Sequence, residues 1–572
     1  MTSEHATWKR STDTTIVAIL ILAAAVTFSK DITVGGLRWS DSSSRAMDGV
    51  LIHDWVLAGP DAWSNPLEFA KRQYAHYPTL SIGRVYPPGF AIVESTFFAV
   101  FGISPFSARL CTLCFGLLAI AGCYALTRKF MPPLAATCAT GFLIGMPGVV
   151  FWSRLAMLEM PALAMLIWTV YAALGYFEKP TWPRWATVVF LTLSSVLVKQ
   201  TAVFIVPVLG VFFVWRVIRR KTHTERETAR IPAGHVIATL LSVVLPLGAF
   251  FGYTFFSGGS TTHMFDVVSM GKPISEWLSW DALAFYWPTL PRQAGWLVLT
   301  LAGFGFLSTL FLSGPRTFVP SSIHWWIILL WFVVYYLMCT LIQYKESRYF
   351  FFNYFPLAIW AGWGAATLIG LIPPARIRAT VAAALVIGVV IVGYQTPLRY
   401  EPDYTPLIAK YEPHIRNNIV LFEGLRDGDF TFAARRRLGK RQCVIVRGSK
   451  IFYSCPAIAW FDFKSEVSST ADVARIIDKF GFELMFVERR NLLHLKEIDL
   501  LHEELANRDR YELVGSHELT VPRPNQEHRA RVVDVYRPLH RSARRTRFLD
   551  IPIPIDGRTI RVNLDELLTP DA

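Results

Sequence analysis

Three carboxylates stand close together after the first apolar run: Asp41 and Asp48 in the polar stretch Trp39 to Val50, and Asp54 just beyond it. A carboxylate in such a segment can take the proton of an attacking hydroxyl, the task of a general base in group transfer to an alcohol. Asp41, flanked by small serines, is the first candidate for that base, Asp48 before Gly49 the second and Asp54 the third. Each also fits the commoner role of Asp in capping or turning a backbone. Glu159 lies in SRLAMLEMPA, where the chain enters a helix at Pro161. It serves either the positive end of that helix or an acceptor, a loop or a metal. The complementary chemistry is cationic, because a phosphate leaving group departs without protonation when cations neutralise its growing charge. Lys199 ends a helix at SSVLVKQT, and YKESRYF sets Lys345, Arg348 and Tyr349 together, with Arg109 and Arg154 as further cations. Lys199 reads equally well as a lysine snorkelling to lipid headgroups. Two cations beside an aromatic make YKESRYF the better anion pocket.

The elements that must position these groups are membrane helices. Of 572 residues, 53% are hydrophobic and 14% aromatic, and the mean hydropathy is +0.36, which excludes an ordinary soluble protein of this length. Apolar runs at 14–29, 107–127, 134–150, 161–177, 186–198, 201–217, 236–256, 294–311, 323–342, 349–371 and 379–392 predict about eleven spans. Lys9 and Arg10 precede the first run and no small-residue cleavage site stands out, so it reads as an uncleaved helix with a cytoplasmic start. Threading from there places Arg128, Lys129, Lys179, Arg184, the basic cluster 216–221, Arg316, Arg376 and Arg378 inside, in keeping with the positive-inside rule. The same threading puts Asp41, Asp48, Asp54, Arg109, Arg154, Glu159, Lys199, Lys345 and Arg348 on the outer side or at outer helix ends. Ionisable groups near a bilayer are costly unless paired or functional, so their convergence on one face marks a site.

The chain divides into a membrane domain, 1–395, a proline-punctuated linker, 396–417, and a soluble α/β domain, 418–572. Within the membrane domain, 30–88 is a long outer loop and 257–292 a second one. Segment 89–102 is too short to span, carries Glu94, and is placed at the outer surface behind Pro87 and Pro88. In the second loop, Trp277, Trp280, Tyr286 and Trp287 either line an acceptor cleft or form an interfacial aromatic belt. In the tail, 418–422, 442–447, 484–487, 511–514 and 532–536 read as strands, 469–480 and 492–507 as helices, and 547–562 as a β-rich end. The tail holds no glycine-rich phosphate loop and no triad-like cluster. Its basic run Arg435, Arg436, Arg437, Lys440 and Arg441 is a solvated face or a contact for anionic lipid or glycan.

The net charge of +14 comes mostly from basic residues flanking helices, so no nucleic-acid partner is expected. Cys111 and Cys114 lie in an apolar run and read as helix packing, while Cys443 and Cys455 leave a disulfide in the tail open. His53 and His76 are spaced like ordinary loop residues. No cofactor is therefore expected, a divalent metal being the alternative.

In order and spacing, the acidic first outer loop, Pro87-Pro88, Ser107-Ala108-Arg109, Arg154 with Leu158-Glu159, Lys199, and Arg348-Tyr349 followed by Pro356 resemble the GT-C class of membrane glycosyltransferases. The likeness, over roughly 14–370, is closest to the branch that includes aminoarabinose lipid A transferases, rhizobial galacturonosyltransferases and protein mannosyltransferase-like proteins. It implies a multi-pass enzyme of the bacterial inner membrane. Such an enzyme transfers a sugar, with inversion, from a polyprenyl-phosphate donor to a lipid, glycan or protein acceptor on the periplasmic side. Asp41 would then be the base, Glu159 would orient the acceptor or a loop, Lys199, Lys345 and Arg348 would bind the donor phosphate, and Arg109 and Arg154 would support the acids or the phosphate. Two positions depart from the family pattern: Asp41-Ser42 stands where the family usually has Asp-Glu, and Glu159 where Asp is common. The rival readings are a transporter or flippase of a lipid-linked anion and a non-catalytic membrane scaffold. The first calls for two similar halves with broken helices, which the sequence lacks.

Overall fold

The computed structural model describes residues 2–82, 86–218, 231–249, 276–311, 322–398, 400–454, 463–521, 531–540, 548–552 and 559–568. Arg84, Cys455, the stretch 251–275 of the second outer loop and most of the basic cluster 216–221 lie outside these. The chain forms two compact units, one of 1–32 and 109–398, the other of 33–108 and 399–572. The division expected at 395 follows the linear sequence. The observed one places most of the first outer loop with the tail.

In the first unit the apolar runs named above fall on helices or 3-10 turns as far as they are described, 250–256 of the run 236–256 lying outside the described residues. The run 134–150 is bent by 62° between Pro133–Gly145 and Pro147–Ser153. Pro147 can open a helix but cannot continue the one before it, and Met146 between them is extended. Trp280–Ala294 and Trp296–Leu310 meet at 116° through Gly295, whose φ of +86° suits only glycine. Among the described residues, five helices are long and apolar enough to cross a membrane, or up to seven if each bent pair is one span, and four shorter apolar helices accompany them. Pro133–Gly145, Glu159–Glu178 and Tyr354–Gly370 are buried along most of their length, whereas Ile19, Leu22, Val26, Ile387 and Val392 point outward as an apolar surface. Small residues let these helices approach: a Cβ on Gly305 would collide with Trp360 O and Gly364 N.

The second unit revises the reading of the first loop. Ser40–Leu57 is a helix, with extended Trp39 at its amino end. Ala46, Met47, Val50 and Leu51 recur at helical spacing and are buried. Its polar residues Ser42, Ser43, Arg45, Asp48 and Asp54 are buried too, Asp48 bonded to Ser81 and Ile82 and Asp54 to Gln73 and Arg435, which is why the sequence reads as loop. Pro60–Ser64 and Pro66–His76 follow, the latter capped by the Asn65 side chain accepting from Glu68 N. In Gly89–Phe101 one face is buried at Phe90, Ala91, Glu94, Ser95 and Phe98, while Ile92, Val100 and Phe101 are exposed.

The tail is built on the strands β1 (Ile419–Glu423), β2 (Val444–Arg447), β3 (Tyr453–Ser454), β4 (Lys464–Ser465), β5 (Leu484–Glu488), β6 (Tyr511–Leu519), β7 (Arg531–Pro538), β8 (Phe548–Pro552) and β9 (Thr559–Asn563). A mixed sheet runs β2-β1-β5-β7-β6, with β1 parallel to both neighbours and β7 antiparallel to both of its own. β1, β2 and β5 are almost entirely buried, as expected of parallel strands covered on both faces. Helices Thr470–Phe480, capped by Ser469 and ended by left-handed Gly481, and Lys496–Leu505 supply apolar faces to this core. The expected linker instead contains helices Thr405–Lys410 and Glu412–Ile415, with Tyr404, Leu407, Ile408 and Ile415 buried.

Candidate functional site

Asp41 lies in the first turn of Ser40–Leu57, half-buried, where the partial positive charge of a helix start favours a carboxylate. Arg45 and Asp48 follow at spacings of four and three, so the three share one helix face. Asp48 is fully engaged: one oxygen accepts from Ser81 N at 2.8 Å and Ile82 N at 3.0 Å, the other from Ser81 Oγ at 2.5 Å, with Arg45 at 3.8 Å. Burial pushes its pKa up, and Arg45 with the Ser81 and Ile82 donors pulls against that. Asp48 thereby holds the 81–82 segment to the helix. Arg45 donates to Ser81 Oγ at 2.5 Å and lies 3.2 Å from the ring centroid of Tyr86, a close cation–π contact. Glu94, fully buried, has neither carboxylate oxygen hydrogen-bonded among the described residues.

Asp54 sits six residues beyond Asp48, less than two turns along the same helix. Arg435, on helix Asp427–Leu438, donates to both its oxygens, at 2.6 and 3.1 Å, while Gln73 Nε2 and His53 Nδ1 each lie at 3.1 Å. Burial raises the pKa of Asp54, but the contacts from His53 and Arg435 outweigh it and hold the carboxyl below its ordinary value. Arg435 is thus part of a buried pair, not the solvated face expected of the basic run. Arg436 and Arg437 do conform, bonded at the surface to Asp403 and Glu412.

In the first unit the structure joins Glu159 to Lys199. Glu159 opens helix Glu159–Glu178, Lys199 closes Trp182–Val198, and Lys199 Nζ donates to Glu159 Oε1 at 2.7 Å with both side chains buried. Glu159 Oε2 has no hydrogen-bond partner among the described residues. Lys199 also lies 5.7 Å from the Phe352 ring, on the 3-10 turn Ser347–Asn353 that carries Arg348 and Tyr349. Arg348 is ion-paired with Glu346 and lies against the Tyr349 ring, and Tyr349 O accepts from Cys339 Sγ at 2.7 Å. Lys345 donates to Cys339 O and Thr340 O, placing a cation on the carbonyl end of helix Ser322–Leu341. The structure thus gathers Glu159, Lys199, Lys345, Arg348 and Tyr349 around one turn.

Arg109 and Arg154 make a different kind of contact. Arg109 donates to Ile32 O at 2.9 Å, and Arg154 to Thr27 O at 2.8 Å, Tyr394 O at 3.1 Å and Thr396 O at 3.2 Å. Their guanidinium forks gather chain ends that a helix terminus leaves unbonded. Among the described residues no group of three or more His, Cys, Asp and Glu is arranged to hold a metal. Arg45 carried no predicted role, although its place between Asp41 and Asp48 at helical spacing is visible in the sequence once that stretch is read as a helix.

Residues 85–249 match the family described as dolichyl-phosphate-mannose-protein mannosyltransferase. No curated protein matches the chain in sequence. Among solved structures, ArnT from Cupriavidus metallidurans in the apo state superposes with a TM-score of 0.54 at 13% identity, over 93% of this chain and 98% of ArnT. ArnT bound to undecaprenyl phosphate gives a TM-score of 0.53 at 13% identity, over 91% and 97% of the two chains. The apo oligosaccharyltransferase of Archaeoglobus fulgidus gives 0.50 at 11% identity, over 83% and 69%. The chain therefore has the GT-C membrane fold and is a multi-pass membrane protein with a soluble α/β region at its carboxyl end.

Proposed function

We propose that this protein is an inverting glycosyltransferase that takes a sugar from a polyprenyl-phosphate donor and delivers it to a lipid, glycan or protein acceptor at the periplasmic face of a bacterial inner membrane. The observation that carries the reading is Asp41 at the head of a helix whose next two turns hold Arg45 and Asp48 in a buried network, within a chain of GT-C fold. The carboxylate of Asp41 takes the proton of the acceptor hydroxyl as its oxygen attacks the anomeric carbon. The bond from that carbon to the phosphate oxygen breaks, and polyprenyl phosphate leaves as an anion. Lys199, Lys345 and Arg348 neutralise it, the carbonyl and carboxylate partners they hold in this structure keeping the cations positioned beforehand. Glu159 keeps one oxygen for Lys199 and offers the other to the acceptor or donor sugar. Asp48, Arg109 and Arg154 act as positioning groups, and the chemistry calls for no metal.

The test is sugar transfer by the purified protein from a panel of polyprenyl-phosphate sugars, in the presence and absence of chelator. Asp41→Asn, which keeps the side chain's shape, is expected to lower turnover by about 10²- to 10⁴-fold with an unchanged unfolding transition. Undiminished transfer by that variant removes Asp41 as the base.

A further inference from the structure

Around the carboxyl ends of the parallel strands β1 and β5, the second unit buries more acid than base. Glu401, Glu423, Asp429 and Glu488 are all buried there, and half-buried Asp427 opens helix Asp427–Leu438 beside them. Among the described residues three guanidiniums bond to these five carboxyls. Arg531 donates to Glu488 Oε1 at 2.8 Å and Glu401 Oε2 at 2.9 Å, Arg426 to Glu401 Oε1 at 2.9 Å, and Arg447 to Asp427 Oδ2 at 2.5 Å. The cations are thereby committed to Glu401, Glu488 and Asp427. Glu423 is bonded by Tyr453 OH at 3.0 Å through one oxygen only, and no guanidinium bond reaches Asp429. Two surplus carboxylates in one buried cluster are too costly to leave charged, so the cluster retains two protons. Burial raises Asp429 and Glu423 to about 8, against the pull of Arg426 and Arg531 on the first and of Tyr453 and Arg447 on the second.

The two acids differ in what they face. Asp429 lies in the first turn of helix Asp427–Leu438, with Arg426, Glu401, Arg531 and Tyr404 of the tail about it and Ser43 of helix Ser40–Leu57 beside it. At the preceding residue, Gly428, an added Cβ would strike Ser43 Oγ, so the two helices touch with no room to spare. Ser43 stands two residues from Asp41. The same tail helix meets Ser40–Leu57 again through Arg435 and Asp54, and so holds it near both ends. The groups about Glu423, namely Tyr453, Asp427, Glu488 and Arg447, all belong to the tail. A charge on Asp429 therefore bears on the helix of Asp41, whereas one on Glu423 falls within the tail.

We propose that Asp429 is a positioning residue for transfer: its neutral carboxyl lets the tail helix close on Ser43, and its ionisation opens that seam and frees the helix that carries Asp41. The effect on transfer rests on the function proposed above, whereas the seam itself does not. Opening exposes Asp429 to water, where it ionises as an ordinary carboxyl. Opening thus releases a proton and is favoured about tenfold per pH unit up to about 8, above which the closed state is ionised as well. Hydrogen exchange of the full-length protein in detergent, corrected for the pH dependence of intrinsic exchange, should show protection in residues 40–57 falling about tenfold per unit between pH 6 and pH 8. The kcat for sugar transfer should decline over the same interval. Asp429→Asn, an uncharged group of the same shape, should make both profiles flat. Glu423→Gln removes the other proton-holding acid, away from Ser43, and should leave both profiles as they are while altering the pH dependence of global unfolding. Three results would overturn the assignment: pH-independent protection of 40–57 in the unaltered protein, profiles that survive Asp429→Asn, or profiles that Glu423→Gln abolishes as fully. Absence of transfer with the expected exchange pattern would remove the proposed activity and leave the seam standing.

Discussion

The Asp54–Arg435 pair links the helix that carries Asp41 to the tail helix Asp427–Leu438, and it can be broken cleanly. Both side chains are buried, at 3% and 8% relative exposure, and Asp54 receives two guanidinium bonds as well as Gln73 and His53. Removing either partner leaves the other charge buried without its counter-ion, which costs about 3–5 kcal/mol. Removing both deletes the charges together and costs less than the sum of the single losses. Arg435→Ala and Asp54→Ala should therefore each destabilise the second unit and speed hydrogen exchange through residues 40–57, while the double variant recovers part of the loss. Because the pKa of Asp54 is held down, the pair's contribution is complete above the ordinary carboxylate pKa and is lost as pH falls through the still lower folded value. Asp54→Asn should remove that acid-side slope. Transfer activity should fall with the single variants because Asp41 stands on the helix that loosens. The measurements are denaturant unfolding of the detergent-solubilised protein between pH 3 and pH 7 and peptide-resolved exchange. Additive losses in the double variant, or unaltered exchange in 40–57, would refute the reasoning.

Asp429 and Glu423 work in the opposite direction. Burial raises both to about 8, Asp429 beside Arg426, Glu401, Ser43 and Arg531, and Glu423 beside Tyr453, Asp427, Glu488 and Arg447. The folded state then holds protons that the unfolded chain has released, so stability should decline as pH rises from about 4 to about 8 and level off above; Asp429→Asn should flatten that decline in thermal unfolding. Gly428 packs so close to Ser43 that an added Cβ would strike its Oγ, so Gly428→Ala should cost about 1–3 kcal/mol by denaturant titration. Lys199→Met strands the buried Glu159 carboxylate; adding Glu159→Gln should restore thermal stability without restoring transfer, and recovery of both would remove the pair from the chemistry.

The amino-acid sequence by itself determined the membrane character, the positions of the apolar helices, and most of the tail's sheet. Those features rest on local periodicity and composition: the buried strands Ile419–Glu423 and Leu484–Glu488 and the helix Thr470–Phe480 fall within a residue or two of the runs that predict them. It also named Glu159 and Lys199, because charge at a membrane helix end is conspicuous wherever it occurs. Only the tertiary structure joined those two in a 2.7 Å ion pair. The stretch from Trp39 to Val50 shows where local reasoning stops. Its serines and charges have the composition of a loop, and it is part of a helix in which Ser81 and Ile82, distant in sequence, supply the bonds that buried Asp48 needs, as Arg435 does for Asp54 further along the same helix. A buried polar residue can be distinguished from an exposed one only by its partners, and those partners are brought together by the fold.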